Sequence, residues 1–236
     1  MMKRITFISD THNKHKQITS HLPGGDILIH AGDISSMGYP REIKDFCKWF
    51  NGIEGYTHKI FIAGNHDWGF INHIDKVNDI LEKYDDITYL QDDLYLAGQD
   101  ETDYNDMIKI YGSPWQPEFY NWAFNLPRNG WELGQKWSDV PVDTDILITH
   151  GPAYGFVDKV IGRPENLGCE LLAERIKTIK PKIHVCGHIH SGRGIIFNDG
   201  TLYINASVLD EQYNYTKKPF TIDFDFETNE WDVINY

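Results

Sequence analysis

Lys59-Ile60-Phe61-Ile62-Ala63-Gly64-Asn65-His66-Asp67 is an apolar run that stops at a glycine and gives way at once to an amide, an imidazole and a carboxylate. A short apolar run rich in β-branched and aromatic residues, bounded by glycine, reads as a buried strand. The three polar side chains after it then sit just past the strand's carboxyl end. Four other stretches repeat the arrangement. Asp10-Thr11-His12 follows Ile5-Thr6-Phe7-Ile8-Ser9, and Gly32-Asp33 follows Asp26-Ile27-Leu28-Ile29-His30-Ala31. His150-Gly151-Pro152 follows Asp145-Ile146-Leu147-Ile148-Thr149, and Gly187-His188-Ile189-His190 follows Lys182-Ile183-His184-Val185-Cys186. Periodicity alone points to an α/β protein with all five clusters on the carboxyl edge of one open sheet, the edge at which such sheets bind ligands.

Between these runs the pattern alternates. Ile43, Phe46, Cys47 and Phe50 carry the i, i+3, i+4, i+7 spacing of a helix over 41–50, and Ile74, Val77, Ile80 and Leu81 do so over 71–84. A third amphipathic helix is expected over 170–179, stopped by Pro181. Residues 99–106 hold four acids and no aliphatic side chain, which suits a solvated hairpin tip. The stretch 113–124 has two prolines and several aromatic rings and reads as irregular. From 194 onward the chain reads as hairpins, one of them turning at Asn198-Asp199-Gly200. Nothing marks a linker or a repeat, so 1–236 is read as a single domain.

Thirty-five acids against 22 bases give a formal charge of −13. That surface repels a polyanion and argues against non-specific nucleic-acid binding, without opposing a small anion in a cationic cleft. The N-terminus lacks the apolar core of a signal peptide, and no run approaches the ~18 apolar residues of a membrane span. Cys47, Cys169 and Cys186 form no framework, which fits a reducing, cytoplasmic setting.

Asp10, His12, Asp33, Asn65, His150, His188 and His190 together offer carboxylate, imidazole and amide donors, a mixed N/O set suited to manganese, iron or zinc. Seven ligands exceed what one ion needs, so two divalent ions are expected, with Asp33 the candidate bridge. Two such ions can activate a water and clamp an in-line phosphoryl displacement. Four positive charges, two carboxylates and a hydroxide leave about +1 facing an anionic ester. His66, beside Asn65, is the expected proton donor to the leaving alkoxide, oriented by Asp67.

The order Asp-x-His, Gly-Asp, Gly-Asn-His-Asp, His-Gly-Pro, Gly-His-x-His resembles the calcineurin-like metallophosphoesterase superfamily from Asp10 to His190. Tyr111-Gly112-Ser113-Pro114-Trp115-Gln116-Pro117, and His150-Gly151-Pro152 with Gly155, are similar to its small MPPED-like branch. The resemblance implies a β-sandwich of two mixed sheets flanked by helices in place of the single open sheet. It also implies Asp10, His12, Asp33 and His190 on one metal, and Asp33, Asn65, His150 and His188 on the other.

The expected activity is therefore metal-dependent hydrolysis of phosphodiesters, cyclic nucleotides among them, by a hydroxide activated between the two metals. Gly32-Asp33-Ile34-Ser35-Ser36 lacks the arginine that follows this motif in the superfamily's phosphoprotein phosphatases. The alternatives are a phosphomonoesterase, with Arg193 as the extra cation, and a nucleotide-binding regulatory protein with little turnover. The partner expected is a small phosphate ester or nucleotide. Trp68 is expected to line the pocket, and the rings of 115–124 either to stack a nucleobase or to pack on one another. His15, His21, His58 and His73 are expected at the surface, and His30 and His184 in the core.

Overall fold

The computed structural model describes residues 1–98 and 107–235, except the Asn235 side chain; the acidic stretch 99–106 lies outside them. In chain order the strands are β1 (Met2–Ile8), β2 (Gly25–His30), β3 (Tyr56–Phe61), β4 (Thr88–Tyr89), β5 (Asp93–Ala97), β6 (Ile108–Ser113) and β7 (Gln116–Pro117). They continue as β8 (Asn125–Leu126), β9 (Ile146–Thr149), β10 (Ile183–Cys186), β11 (Gly194–Asn198), β12 (Thr201–Asn205), β13 (Phe220–Asp225) and β14 (Trp231–Asn235). The helices are α1 (Pro40–Asn51), α2 (Gly69–Asn72), α3 (Ile74–Leu81), α4 (Trp131–Ser138) and α5 (Glu170–Ile179).

Two six-stranded mixed sheets form, in the orders β14-β13-β1-β2-β3-β4 and β11-β12-β10-β9-β6-β5. This is the two-sheet architecture that the family resemblance implied, and it replaces the single open sheet suggested by periodicity. The reason is that each apolar run alternates between two cores. Ile5, Phe7, Ile27, Ile29, Ile60 and Ile62 meet Ile146, Ile148, Ile183, Val185, Leu202 and Ile204 in the layer between the sheets. The intervening residues point outward under helices: Ile8, Leu28 and Phe61 beneath Ile43, Phe46 and Phe50 of α1, and Leu147, Cys186 and Tyr203 with Leu172 and Ile176 of α5. A strand covered on both faces reads as continuously apolar, so one run is compatible with either architecture.

Helix α4 has no counterpart among the sequence expectations, since only Leu133 and Trp137 give it a buried face and Gly134 interrupts it. The helix expected over 71–84 is broken at His73, which takes a non-helical φ of −138° and separates α2 from α3. Among the described residues no helix is long and apolar enough to cross a membrane.

β1, β2 and β3 run parallel to one another, as do β6, β9, β10 and β12. The two sheets are joined at their carboxyl ends, where Ser9 pairs with Ser207 and Val208 N–H donates to Ser9 O at 3.1 Å. The loops after β1, β2 and β3 therefore face those after β9 and β10.

Candidate metal centre and its cleft

All seven candidate ligands and His66 converge where these loops meet. Asp33 is central. Its Oδ2 lies 3.5 Å from His12 Nε2 and 3.4 Å from His150 Nε2, while its Oδ1 accepts the His66 backbone N–H at 2.8 Å. On one side, His190 Nε2 is 3.5 Å from Asp10 Oδ1. On the other, Asn65 Oδ1 stands 3.0 Å from His150 Nε2 and 2.8 Å from His188 Nδ1. The ligand atoms of Asp10, His12 and His190, and those of Asp10, Asp33 and His150, lie within 4.8 Å of one another.

The backbone is bent to achieve this. Asp10, His12, Asp33 and His188 all have positive φ, at 56°, 39°, 55° and 64°. Each such non-glycine residue costs about 1–3 kcal/mol, and such strain concentrates at functional sites. Two glycines admit the close approach: a Cβ on Gly187 would strike Ser9 Oγ and Asp10 Oδ2, and one on Gly32, at φ +96°, would strike Ala63 O and the His150 ring. Asp10 is held from behind, accepting from Ser207 Oγ at 2.6 Å and from His188 N–H at 3.0 Å. Asn205 supports that contact. Its Oδ1 accepts the Ser207 backbone N–H at 3.1 Å, and its Nδ2 donates toward the carbonyls of Val157, Gly187 and Ile189.

The donor set fits cations. His150 Nδ1–H donates to Ala31 O at 2.9 Å, which leaves Nε2 as a lone pair facing the oxygens of Asn65 and Asp33. His190 Nδ1–H donates to Asp210 O at 2.8 Å, which turns its Nε2 lone pair toward Asp10. Lone pairs facing lone pairs in a buried site require a positive charge between them. Among the described residues, neither nitrogen of buried His12 has a hydrogen-bond partner. Ligand atoms at about 2.1 Å from an ion stand about 3.0–3.4 Å apart, close to the separations seen.

Burial works to lower His150, but the charge and hydrogen bond of Asp33 lift it to about 9. His190 is likewise held up at about 9, against burial, by Asp10. Burial would raise Asp10 and Asp33; the neighbouring imidazoles, His190 for Asp10 and His150 for Asp33, hold both well below the usual carboxylate range. Burial drives His12 to about 4 and His188 to about 3, leaving both rings neutral and able to ligate.

His66 and Asp67 part company. His66 Nδ1–H donates to Ser36 O at 2.9 Å, and its Nε2 faces the centre 4.0 Å from Asp33 Oδ2. Asp67 does not orient that ring. Its buried carboxylate accepts from Ser35 Oγ at 2.5 Å and from the N–H groups of Ile34, Ser35 and Gly64, stapling the loop after β2 to the loop after β3. Burial, then the charge of Asp33, raises Asp67 to about 7.

Above the centre opens a cleft of about 390 Å³ lined by Asn65, His66, Phe119, Arg163, His188 and Tyr213 among others. Tyr213, at φ 61°, sets its ring 4.8 Å from His12 and 5.3 Å from His190. Sequence reading missed it, since a tyrosine in a turn carries no signal of its own. Phe119 meets His188 edge-on at 5.3 Å, and Trp122 stacks on His66. Within the same stretch Trp115 and Phe124 pack on each other, as one of the two readings of these rings expected.

Three further expectations are corrected. Trp68 packs against the α1 core and borders a separate depression with Met37, Gly38 and Tyr39, away from the cleft. Arg193 donates to Ser207 O and Lys218 O and lies 3.7 Å over the Phe220 ring, so it does not enter the cleft; Arg163 does. His15 is fully buried between Phe46 and Trp49.

The family described as calcineurin-like phosphoesterase matches residues 3–192. The "Metallophosphoesterase domain-containing protein 1" of Homo sapiens and that of Mus musculus are each 40% identical over 237 residues, covering 93% of this chain and 70% of their own. Among solved structures, TT1561 of Thermus thermophilus superposes with a TM-score of 0.69 at 12% identity, over 100% of this chain and 99% of that one. A 5′-nucleotidase precursor from the same organism gives 0.53 at 11% identity, over 99% and 54%. At those identities the structural likeness speaks to the fold.

Proposed function

This chain belongs to the calcineurin-like phosphoesterase family, and we propose that it hydrolyses phosphodiesters, cyclic nucleotides among them, at a centre that takes two divalent ions of manganese, iron or zinc. The observation that carries the reading is Asp33 Oδ2, 3.5 Å from His12 Nε2 and 3.4 Å from His150 Nε2, between the two groups of candidate ligands. Asp10, His12, Asp33 and His190 would hold one ion, and Asp33, Asn65, His150 and His188 the other. When bound, the ions supply activation of a water nucleophile and positive charge for the phosphoryl oxygens.

The chain's own groups do the rest. Asp10 and Asp33 are held by Ser207 Oγ and the His66 N–H, which orients both carboxylates toward the centre. Because the Nδ1 proton of His66 is committed to Ser36 O, the proton given to a leaving alkoxide is the one on Nε2, which faces the cleft. A diester brings one negative charge and needs few added cations. Of the cleft's arginines, Arg128 is engaged by Glu170 and the carbonyls of Leu167 and Gly168, and Arg163 lies at the margin, 4.0 Å from Glu165. Arg163 is also what favours the second reading, a phosphomonoesterase, since a dianion gains more from such a cation. Three free, buried cysteines favour a cytoplasmic setting.

Chain reconstituted with each metal and offered matched aryl diesters, aryl monoesters and cyclic nucleotides tests the reading. Faster turnover of diesters supports it; faster turnover of monoesters at neutral pH transfers the assignment to the second.

A further inference from the structure

We propose that Trp122 is a positioning residue that clamps the His66 imidazole in the orientation from which it delivers its proton; this rests on the reading of His66 as proton donor to the leaving group. The Trp122 and His66 rings stack with centroids 4.1 Å apart and an interplanar angle of 26°. Apart from its centre-facing Nε2, the only polar contact of the His66 ring among the described residues is the hydrogen bond from Nδ1 to Ser36 O. One such bond fixes a point of the ring and leaves it free to pivot about that bond. A flat aromatic surface against one face removes the pivot, with His12 meeting the ring edge-on at 4.6 Å. Asp67 supplies none of this restraint, being occupied between the loops after β2 and β3.

Trp122 is itself anchored on the centre. The N–H of the next residue, Ala123, donates to the backbone carbonyl of Asn65 at 3.1 Å, so the segment that carries the indole is fastened to the residue preceding His66. One residue further, Phe124 is buried at φ 55°, and its carbonyl accepts from Gln116 N–H at 3.0 Å, closing the segment onto β7. The indole thus stands at a fixed distance from the ligand loop. His66 and Phe119 line the cleft but Trp122 does not, so it supports the imidazole from outside the substrate's space. A wall of the cleft would instead change the affinity for every substrate.

The test uses the full chain in two arms. In the first, ¹⁵N-histidine-labelled protein is followed by NMR, with the His66 Nδ1–H signal assigned through His66→Ala. That proton is expected to be protected from solvent exchange in the parent and in Trp122→Phe, and to exchange at least about tenfold faster in Trp122→Ala. Unchanged protection in Trp122→Ala overturns the proposal. In the second arm, metal-loaded enzyme is assayed on diesters with alkyl and with nitrophenyl leaving groups. Trp122→Ala should lower kcat about tenfold on the alkyl ester and at most about twofold on the nitrophenyl ester, with KM and metal content unchanged, and Trp122→Phe should restore it. A rise in KM on both substrates without a selective loss of kcat makes Trp122 a cleft wall and overturns the proposal. If Trp122→Ala does not fold, Trp122→Leu, which keeps bulk but not the flat face, takes its place. His66→Ala in the same panel isolates the premise. Equal losses on both esters in that variant reject His66 as the acid, while the exchange arm still decides whether Trp122 holds the ring.

Discussion

The floor of the cleft, where Asp10, Asp33 and His150 are at most 2% exposed, consists of short loops that begin within a residue or two of a strand. The rim, where Phe119 and Tyr213 are 47% and 42% exposed, is carried by segments with hardly any regular structure. Each floor residue is held by several hydrogen bonds or ion contacts and often by a strained backbone. The rim residues reach the centre through ring contacts. Substitution in the floor should therefore act on metal and turnover, whereas substitution in the rim should act on substrate choice and on how individual rings are held.

The strongest way to break this contrast is at Asp33. Asp33→Asn should leave less than one ion per chain by metal analysis and lower turnover roughly 10³-fold, because it weakens both halves of the centre at once. If Asp10→Ala released more metal than Asp33→Ala, the bridging position would lose its meaning. His66 comes next. His66→Ala should keep both ions yet lower kcat roughly 10²-fold on alkyl esters and less on nitrophenyl esters, which depart unaided. Loss of metal in that variant would move His66 from donor to ligand.

A third prediction lies beneath α1, away from both regions. Burial, only partly offset by the charge of Asp45, lowers His15 to about 4 from an ordinary 6.5. A ring kept neutral in the fold stabilises it fully above pH 6.5, and that stability is lost as pH falls from 6.5 to about 4, up to about 3 kcal/mol. Denaturant titrations of the parent and His15→Phe across that window should diverge, with the variant's stability flatter in pH; parallel curves would show that His15 is not held neutral. The smallest effect belongs to the rim. Arg163→Ala should raise KM for an aryl monoester about threefold and leave the diester unchanged, as suits one exposed cation. Arg193→Ala should alter neither, because its guanidinium is committed to two carbonyls and Phe220.

Which ligands meet at the centre is legible in the chain. Each ligand lies one to four residues past the end of a strand, and parallel strands place their carboxyl ends together, so Asp10, Asp33, Asn65, His150, His188 and His190 could be gathered from local patterns alone. Tertiary structure decided the division of the strands between two sheets, because a run covered on both faces looks the same in either arrangement. It also decided what Asp67 and Arg193 do, since a polar group's partner is set by whatever loop arrives beside it. Asp67 found the N–H groups of the neighbouring loop in place of the imidazole next to it in sequence. Tyr213 and Trp122 reach the centre from turns with no periodicity. Ring stacking is a contact between surfaces brought together by the fold, and it leaves no spacing in the chain from which it can be read.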